Sequence, residues 1–175
     1  MLTEQELLDH GIDSTRKANL LKLASHLRKL DHEKFDMNYF YKYYDDQQEQ
    51  LVPLPHDQLG LHGDPNPCGT VACAVGCGPA AGIPIDEVDD CWETYSNRVF
   101  VQHNVEGCYP DRFLADRTWV FLFSASWARS DNSPTGAAER IQFVLENGLK
   151  DVWDDNVDIY HFFGSLTKDT LPYKK

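Results

Sequence analysis

The stretch that decides the fold is rich in small residues and thiols and reads Pro67-Cys68-Gly69-Thr70-Val71-Ala72-Cys73-Ala74-Val75-Gly76-Cys77-Gly78-Pro79-Ala80-Ala81-Gly82. Asn66 precedes a proline, so its backbone is pushed out of the helical region and it can cap a helix that starts at that proline. Ala72, Gly76 and Ala80 recur every fourth residue and form a low ridge on which another backbone can lie closely. The pattern predicts a central helix over residues 67–81.

The small and sulfur-containing side chains of this helix are expected to serve as core filler. Gly82, followed by Ile83 and Pro84, is predicted to end the helix in a left-handed conformation. The residues that we assign to the packed surface of the central helix are Cys68, Gly69, Thr70, Cys73, Gly76, Cys77 and Gly78.

The length and composition indicate one globular domain over residues 1–175. A chain of 175 residues can bury roughly 70% of its unfolded surface in a single core. Its hydrophobic content of 42%, with four Trp, eight Tyr and nine Phe, excludes a disordered tail or a low-complexity protein.

The charge balance is strongly acidic. A formal net charge of −12, from 28 acidic against 16 basic residues, works against a large cationic surface for phosphate backbones, so direct binding of nucleic acid is not expected. A partner protein with a basic surface suits this balance better. The one basic strip lies on the outer face of the second predicted helix and is interpreted as a solvated face.

The cysteines and the apolar runs indicate a cytoplasmic protein. Five cysteines are an odd number, and three of them lie in a segment where one-turn spacing rarely allows good disulfide geometry, which favours a reducing compartment. The first residues lack the basic start and apolar run of a signal peptide, and no apolar run approaches ~18 residues, so no membrane association is expected.

Local signals predict helices along most of the chain. Thr3 to Glu6 is a capping box that starts a short helix ending near Gly11, and a second helix begins at Asp13 or Ser14. Ser133 before Pro134 starts another, with Gly148 as its stop. Further helices are predicted over residues 84–98 and 110–123, and a short strand or arm over residues 151–175. A helix is also favoured over residues 35–44, although Tyr39, Tyr41 and Tyr43 alternate as in a strand. The expected fold is mainly α, one compact domain of about six helices with room for a minor strand pair.

Three sequence blocks carry a resemblance to a known family. They are Phe35-Asp36-Met37, then Cys68 to Gly76 running into Gly78-Pro79-Ala80-Ala81-Gly82-Ile83, then Asp131-Asn132-Ser133-Pro134-Thr135-Gly136-Ala137-Ala138-Glu139-Arg140-Ile141. In this order the blocks resemble a family of small bacteriophage and prophage proteins that has no assigned activity. The resemblance implies expression inside an infected bacterium and the binding of host or defence machinery.

The best candidate for a reactive group is Cys68, because a thiol near a helix N-terminus has a lowered pKa. Papain-like hydrolases place a nucleophile in this way and need a base, for which His103 is the downstream imidazole, with Asn104 or Asp111 to orient it. The structural alternative is that Cys68 is a small packing residue.

A metal site is the third possibility, in a metal-stapled structural or virion-associated protein. It would draw on Cys68, Cys73, Cys77, Cys91, Cys108, His62 and His103. The chain has no Cys-x-x-Cys pair, so we predict no metal and no cofactor. The leading hypothesis is a non-catalytic, acidic cytoplasmic protein that binds a host or defence protein. A cysteine hydrolase or transferase using Cys68 and His103 is the first alternative.

Overall fold

The computed structural model describes the following residues: 2–38, 41–45, 50–53, 71–103, 114–150, 152, 159–166 and 170–174. For residues 41–45, 50–53, 71, 159 and 160 the description covers the backbone alone. Within these ranges the protein is mainly helical, as the sequence predicts, and it carries one small sheet. The helices are α1 (Glu4–Asp9), α2 (Ser14–Leu27), α3 (Trp92–Val99), α4 (Leu114–Phe123), α5 (Trp127–Ser130), α6 (Pro134–Asn147) and α7 (Ile159–Ser165).

The predicted caps of the first two helices are confirmed. The backbone N–H of Glu6 donates to Thr3 Oγ1 at 3.3 Å, and the N–H of Thr3 donates to Glu6 Oε2 at 2.8 Å. Asp13 caps α2 by accepting from the N–H of Arg16 at 2.8 Å. Each cap satisfies N–H groups that a helix start leaves without an intrahelical partner.

Packing of α2 against α6 forms the centre of the hydrophobic core. Ser133 caps α6 by accepting from the N–H of Gly136 at 3.0 Å, and Gly148 ends it with a φ of 71°, so both predicted ends are confirmed. Burying each aliphatic side chain in this contact stabilises the fold by roughly 1.5–3 kcal/mol. The buried residues of the two helices include Leu20, Leu23, Ala24, Leu27, Ala137, Ala138, Ile141, Val144 and Leu145.

The prediction of a central helix over residues 67–81 is wrong for the part that the structure describes. Val71–Ala72 is a strand (β3), residues 74–78 form turns, and Pro79–Ala81 is one turn of 3-10 helix. A proline inside a helix costs about 3 kcal/mol and each glycine about 1 kcal/mol, so Gly76, Gly78 and Pro79 together oppose a continuous helix. Cys68, Gly69 and Thr70 lie outside the described residues.

The expectation that this segment packs in the core holds for Ala72 to Gly78, whereas Pro79, Ala80 and Ala81 are half-buried. Every residue from Ala72 to Gly78 is buried, including Cys73, Gly76 and Cys77. Gly82 has a φ of 79°, the left-handed conformation that the sequence predicts there.

In its described part, the aromatic segment ends in a strand, which overturns the predicted helix over residues 35–44 there. Strand β1 (Tyr41–Asp45) pairs antiparallel with both β2 (Gln50–Pro53) and β3, giving the order β2-β1-β3. Tyr43 lies opposite Val52 and Tyr41 opposite Ala72. The alternation of tyrosines along β1 is the period expected of a strand, and a β-bridge between Phe35 and Ala72 extends the contact.

Two further boundaries differ from the predictions. The helix predicted from Pro84 begins only at Trp92. Asp89, which was expected in its first turn, binds Arg98 instead, whose Nε donates to Asp89 Oδ1 at 2.8 Å. The buried carboxylate of Asp89 also accepts from the N–H of Asp86, which fixes the preceding turn. At the C-terminal end, α7 replaces the predicted strand or arm.

We expect Gly78→Ala to destabilise the fold. A Cβ at this position would overlap the hydroxyl of Tyr95, which donates to the carbonyl of Ile83 at 2.7 Å. Overpacking and the loss of a buried hydrogen bond each cost roughly 1–3 kcal/mol. A loss of about 2 kcal/mol lowers the melting temperature by roughly 4–8 °C.

The control is Gly82→Ala, because a Cβ there meets no described atom within 4 Å and the cost of about 1 kcal/mol comes from the left-handed backbone alone. Thermal denaturation followed by circular dichroism compares the two variants. If Gly78→Ala lowers the melting temperature no more than Gly82→Ala does, the close packing of Gly78 against Tyr95 would be contradicted.

Candidate functional site

A cleft of about 490 Å³ opens where the end of α1, the end of α3 and the start of α4 come together. This volume lies within the range of roughly 300–1,000 Å³ that is typical of ligand pockets. Its described lining combines carboxylates, amides, an imidazole and apolar side chains. The described lining residues are Leu8, Asp9, Gly11, Asn97, Gln102, His103, Leu114, Ala115 and Asp116.

A backbone contact between Gly11 and Gln102 holds the cleft together. The N–H of Gln102 donates to the carbonyl of Gly11 at 2.8 Å. Gly11 has a φ of 73°, and a Cβ on it would overlap the carbonyl oxygen of Gln102. The turn after α1 can therefore lie against the segment after α3 only because residue 11 is glycine.

The ring of His103 is fixed by two contacts. It stacks on the indole of Trp119, with ring centroids 5.0 Å apart and an interplanar angle of 29°, and its Nδ1 lies 3.0 Å from the carbonyl of Val101. A neutral imidazole in this position carries its proton on Nδ1 and donates it to that carbonyl, which leaves Nε2 as an acceptor. The side-chain amide of Asn97 donates to the backbone carbonyl of His103 and fixes the main chain beneath the ring.

Two carboxylates line the cleft in different ways. Asp116 is buried, with 7% of its surface exposed, in the first turn of α4, where a negative charge is favoured by the helix dipole. Asp9 is exposed and is the last residue of α1, where the dipole disfavours a negative charge. Its described polar contact is with Gln5, whose Nε2 donates to Asp9 Oδ1 at 3.3 Å.

His10, between Asp9 and Gly11, anchors the edge of the cleft to α4. Its ring is buried and its Nδ1 lies 2.7 Å from Thr118 Oγ1. Because the Thr118 hydroxyl donates its own proton to the carbonyl of Leu114 at 2.7 Å, Nδ1–H of His10 is the donor in this pair. Burial, with a smaller effect from Lys150, lowers the pKa of His10 to about 4.

Cys73 and Cys77 are buried core residues. Burial raises the pKa of Cys73 to about 11, and burial also raises the pKa of Cys77, so both thiols are protonated at neutral pH and are poor nucleophiles. Cys91 precedes α3 and its N–H donates to Thr94 Oγ1 at 3.1 Å. None of these three lines the cleft.

The predicted pairing of Cys68 with His103 stays a prediction, because Cys68 lies outside the described residues. His62, Asn104, Cys108 and Asp111 lie outside them as well. In the described ranges, no three His, Cys, Asp or Glu side chains are arranged to hold a metal ion.

The three blocks that carry the family resemblance meet in space. The N–H of Met37 donates to Asn132 Oδ1 at 2.8 Å, and Asn132 Nδ2 donates to Asp36 Oδ1 at 3.4 Å. The N–H of Asp36 donates in turn to the carbonyl of Ala72 at 3.1 Å. These block residues therefore join the sheet to the start of α6, which is a structural role.

A second polar cluster closes the C-terminal end of the core. Arg140 is fully buried and its guanidinium lies 4.4 Å from the ring centroid of Trp127. Tyr173 receives a hydrogen bond from Arg140 Nη1 at 3.3 Å and donates one to Asp131 Oδ2 at 2.8 Å. Lys174 also reaches Asp131, at 3.1 Å, so the charges of this cluster hold the C-terminal segment against α5 and α6.

Comparisons with protein families, with characterised proteins and with solved structures found no match to this chain. The resemblance to phage proteins therefore stays a prediction. No helix within the described ranges is long and apolar enough to cross a membrane.

We expect His10 to make stability depend on pH. The ring has a pKa of about 4 in the folded protein against the ordinary 6.5. Below pH ~6.5 the unfolded chain therefore binds a proton on this ring, whereas the folded chain binds it only near pH 4. The free energy of unfolding that the neutral ring contributes is complete above pH ~6.5 and falls as the pH drops towards 4. Melting temperatures measured across this range should decline.

The matched variant is His10→Gln, which keeps an N–H donor for Thr118 but does not titrate. Its melting temperature should fall less steeply over the same pH range than that of the unmodified protein. Equal slopes for the two proteins would show that burial of His10 does not control this acid sensitivity.

Proposed function

We propose that this protein acts in the cytoplasm of an infected or lysogenic bacterium by binding a host or defence protein that has a basic surface. The observation that carries the proposal is the cleft, where Asp9 and Asp116 lie beside apolar walls on a preformed concave surface. The infected-cell setting rests on the family resemblance alone. Catalysis is not part of the proposed role, and the buried thiols of Cys73 and Cys77 are core residues.

The net charge of −12 supports the same proposal through association rates. A field of one sign steers a partner of the opposite sign, and such steering raises association rates well above the roughly 10⁵–10⁶ M⁻¹s⁻¹ of uncharged encounters. The Debye length falls from about 30 Å at about 0.01 M salt to about 3 Å at about 1 M. Binding that depends on steering must weaken over this range.

The proposal predicts capture of a basic protein from bacterial lysate at about 0.01 M salt and its release at about 1 M salt. Mass spectrometry identifies the captured protein and so gives its isoelectric point. Binding of the purified partner to this protein, measured at several salt concentrations, then gives the salt dependence of the affinity. An unrelated protein of similar size and net charge is the control bait. Recovery of no basic protein beyond the control would contradict the proposal.

A cysteine hydrolase or transferase is a second candidate, favoured by the geometry of His103. Its Nδ1 is held by the carbonyl of Val101, so Nε2 is the acceptor, as a general base requires. Cys68 would be the nucleophile. The candidate predicts that iodoacetamide labels Cys68 at neutral pH faster than a free thiol, because activation requires a lowered thiol pKa.

Peptide mass spectrometry separates the labelled cysteines. Buried Cys73 and Cys77 serve as internal controls that should react only after unfolding. A rate at Cys68 equal to that of a free thiol would remove the nucleophile from this candidate.

A further inference from the structure

We propose that the outward face of α2 is a docking surface for an amphipathic helix with acidic flanks, presented by a partner protein. This inference goes beyond the proposed function, because it concerns a second surface whose charge is opposite to that of the rest of the chain. It follows from the charge of the face, from one exposed leucine and from the size of the face. We call this face the α2 strip, and its exposed residues are Ala18, Leu21, Lys22, Ser25, Arg28 and Lys29.

The residues of the α2 strip share one side of the helix because they recur at intervals of three and four positions. The opposite side carries the fully buried Leu20, Leu23 and Leu27, and α2 packs against α6. The helix has 14 residues, which gives a length of about 21 Å at roughly 1.5 Å per residue. The α2 strip therefore offers a straight surface of that length to solvent.

The α2 strip is basic in a chain that is otherwise acidic. Residues 14–30 contain no Asp or Glu, so all 28 acidic residues of the chain lie outside them. Among the described residues, no acid forms an ion pair with Lys22, Arg28 or Lys29. The described side-chain contact of Arg28 is with an amide, since its Nη2 donates to Gln142 Oε1 at 3.5 Å. Three exposed cations are thus left for a partner.

Acids at the borders of the α2 strip leave its positive charge in place. Asp13, which caps α2, forms an ion pair with Arg16. On α6, Glu146 accepts a hydrogen bond from Gln142. Asp31 is exposed just beyond the end of the strip and offsets one cation at most. The charge that a partner must bring is therefore negative.

The middle of the α2 strip is apolar and low. Leu21 is 45% exposed, and the small side chains of Ala18 and Ser25 lie on either side of it along the helix. Two helices pack with their axes about 8–10 Å apart, and the side chains at the contact set the distance, so small residues allow a close approach. A helix lying on this middle line would place its flanking side chains beside the lysines, where glutamates can pair with them.

The extent of the α2 strip favours a helix over a larger anionic surface. A lipid bilayer or a DNA duplex extends beyond a face of about 21 Å, so its negative charge would also meet the acidic remainder of the chain. One helix of matching length contacts the strip alone. At about 0.15 M salt the Debye length of about 8 Å limits its repulsion by more distant acids.

The test uses the full protein and a fluorescent helical peptide of about 18 residues, with leucines along one side and glutamates on both flanks. Fluorescence anisotropy at about 0.15 M salt measures its binding. A peptide with glutamine in place of glutamate should bind at least about tenfold more weakly, because charge-assisted hydrogen bonds are the stronger ones. Phosphatidylglycerol vesicles and a short DNA duplex, titrated in the same way, should also bind more weakly than the glutamate peptide.

Lys22→Glu should weaken binding of the glutamate peptide by at least about tenfold, since like charges then face each other. The matched control is Lys150→Glu, which makes the same change in net charge at an exposed residue outside the strip and should have a much smaller effect. Leu21→Ala should weaken binding as well. Its control is Leu8→Ala, because Leu8 is 48% exposed on α1. Circular dichroism should show all four variants folded, since each changes an exposed side chain.

Three results would each overturn the assignment of the α2 strip: no binding of the glutamate peptide, equal binding of the glutamine peptide, or equal effects of Lys22→Glu and Lys150→Glu. Tighter binding of vesicles or of duplex DNA than of the peptide would overturn the choice of a helix as partner. Capture of a basic protein from lysate does not use this strip and should survive Lys22→Glu. Failure of this inference is therefore distinguishable from failure of the proposed function.

Discussion

The arrangement around the cleft depends on one close backbone contact. Gly11 meets Gln102 without an intervening side chain, and the hydrogen bond from Gln102 to Gly11 joins the turn after α1 to the segment after α3. His10 binds the same turn to Thr118 on α4. Three elements that are distant in sequence are thereby held at fixed positions, and the side chains between them form a concave surface that exists before any partner arrives.

The helix ends were predictable because their determinants are local. Thr3, Asp13 and Ser133 each satisfy an N–H three residues further on, so a few residues of sequence contain the whole interaction. Gly148 and Gly82 likewise have the positive φ expected of glycines that end a segment. No tertiary contact has to be known for any of these predictions.

The segment from Val71 to Ala81 shows where such reasoning fails. Spacing of small residues every fourth position suggested a helix, but the same small residues also suit a chain that turns tightly among large ones. Gly78 lies against Tyr95 and Phe100, where no Cβ fits, so its small size reflects tertiary packing. Pro79 interrupts a helix at this point, and this interruption is visible in the sequence itself.

The cleft was beyond prediction for a different reason. Its lining comes from residues 8–11, 97–103 and 114–116, and only the fold brings these together. His103 as a candidate base and Gly11 as a helix stop were predictable from the sequence, but no local pattern marks Asn97 or Asp116. The one local signal was Asp9, an acid at the wrong end of a helix.

Acids that stabilise the fold can be separated from those that do not. Asp13 caps α2, Asp89 binds Arg98, and Asp131 accepts hydrogen bonds from Ser133 and Tyr173. Each of these carboxylates has a structural reason for its position. Asp9 differs, because its negative charge at the C-terminal end of α1 is disfavoured by the helix dipole. The helix dipole alone would favour an uncharged residue there, and the described polar contact of Asp9 is the hydrogen bond from Gln5 within the same helix. The structural acids therefore account for the fold, and the surplus negative charge at the cleft accounts for the binding that we propose.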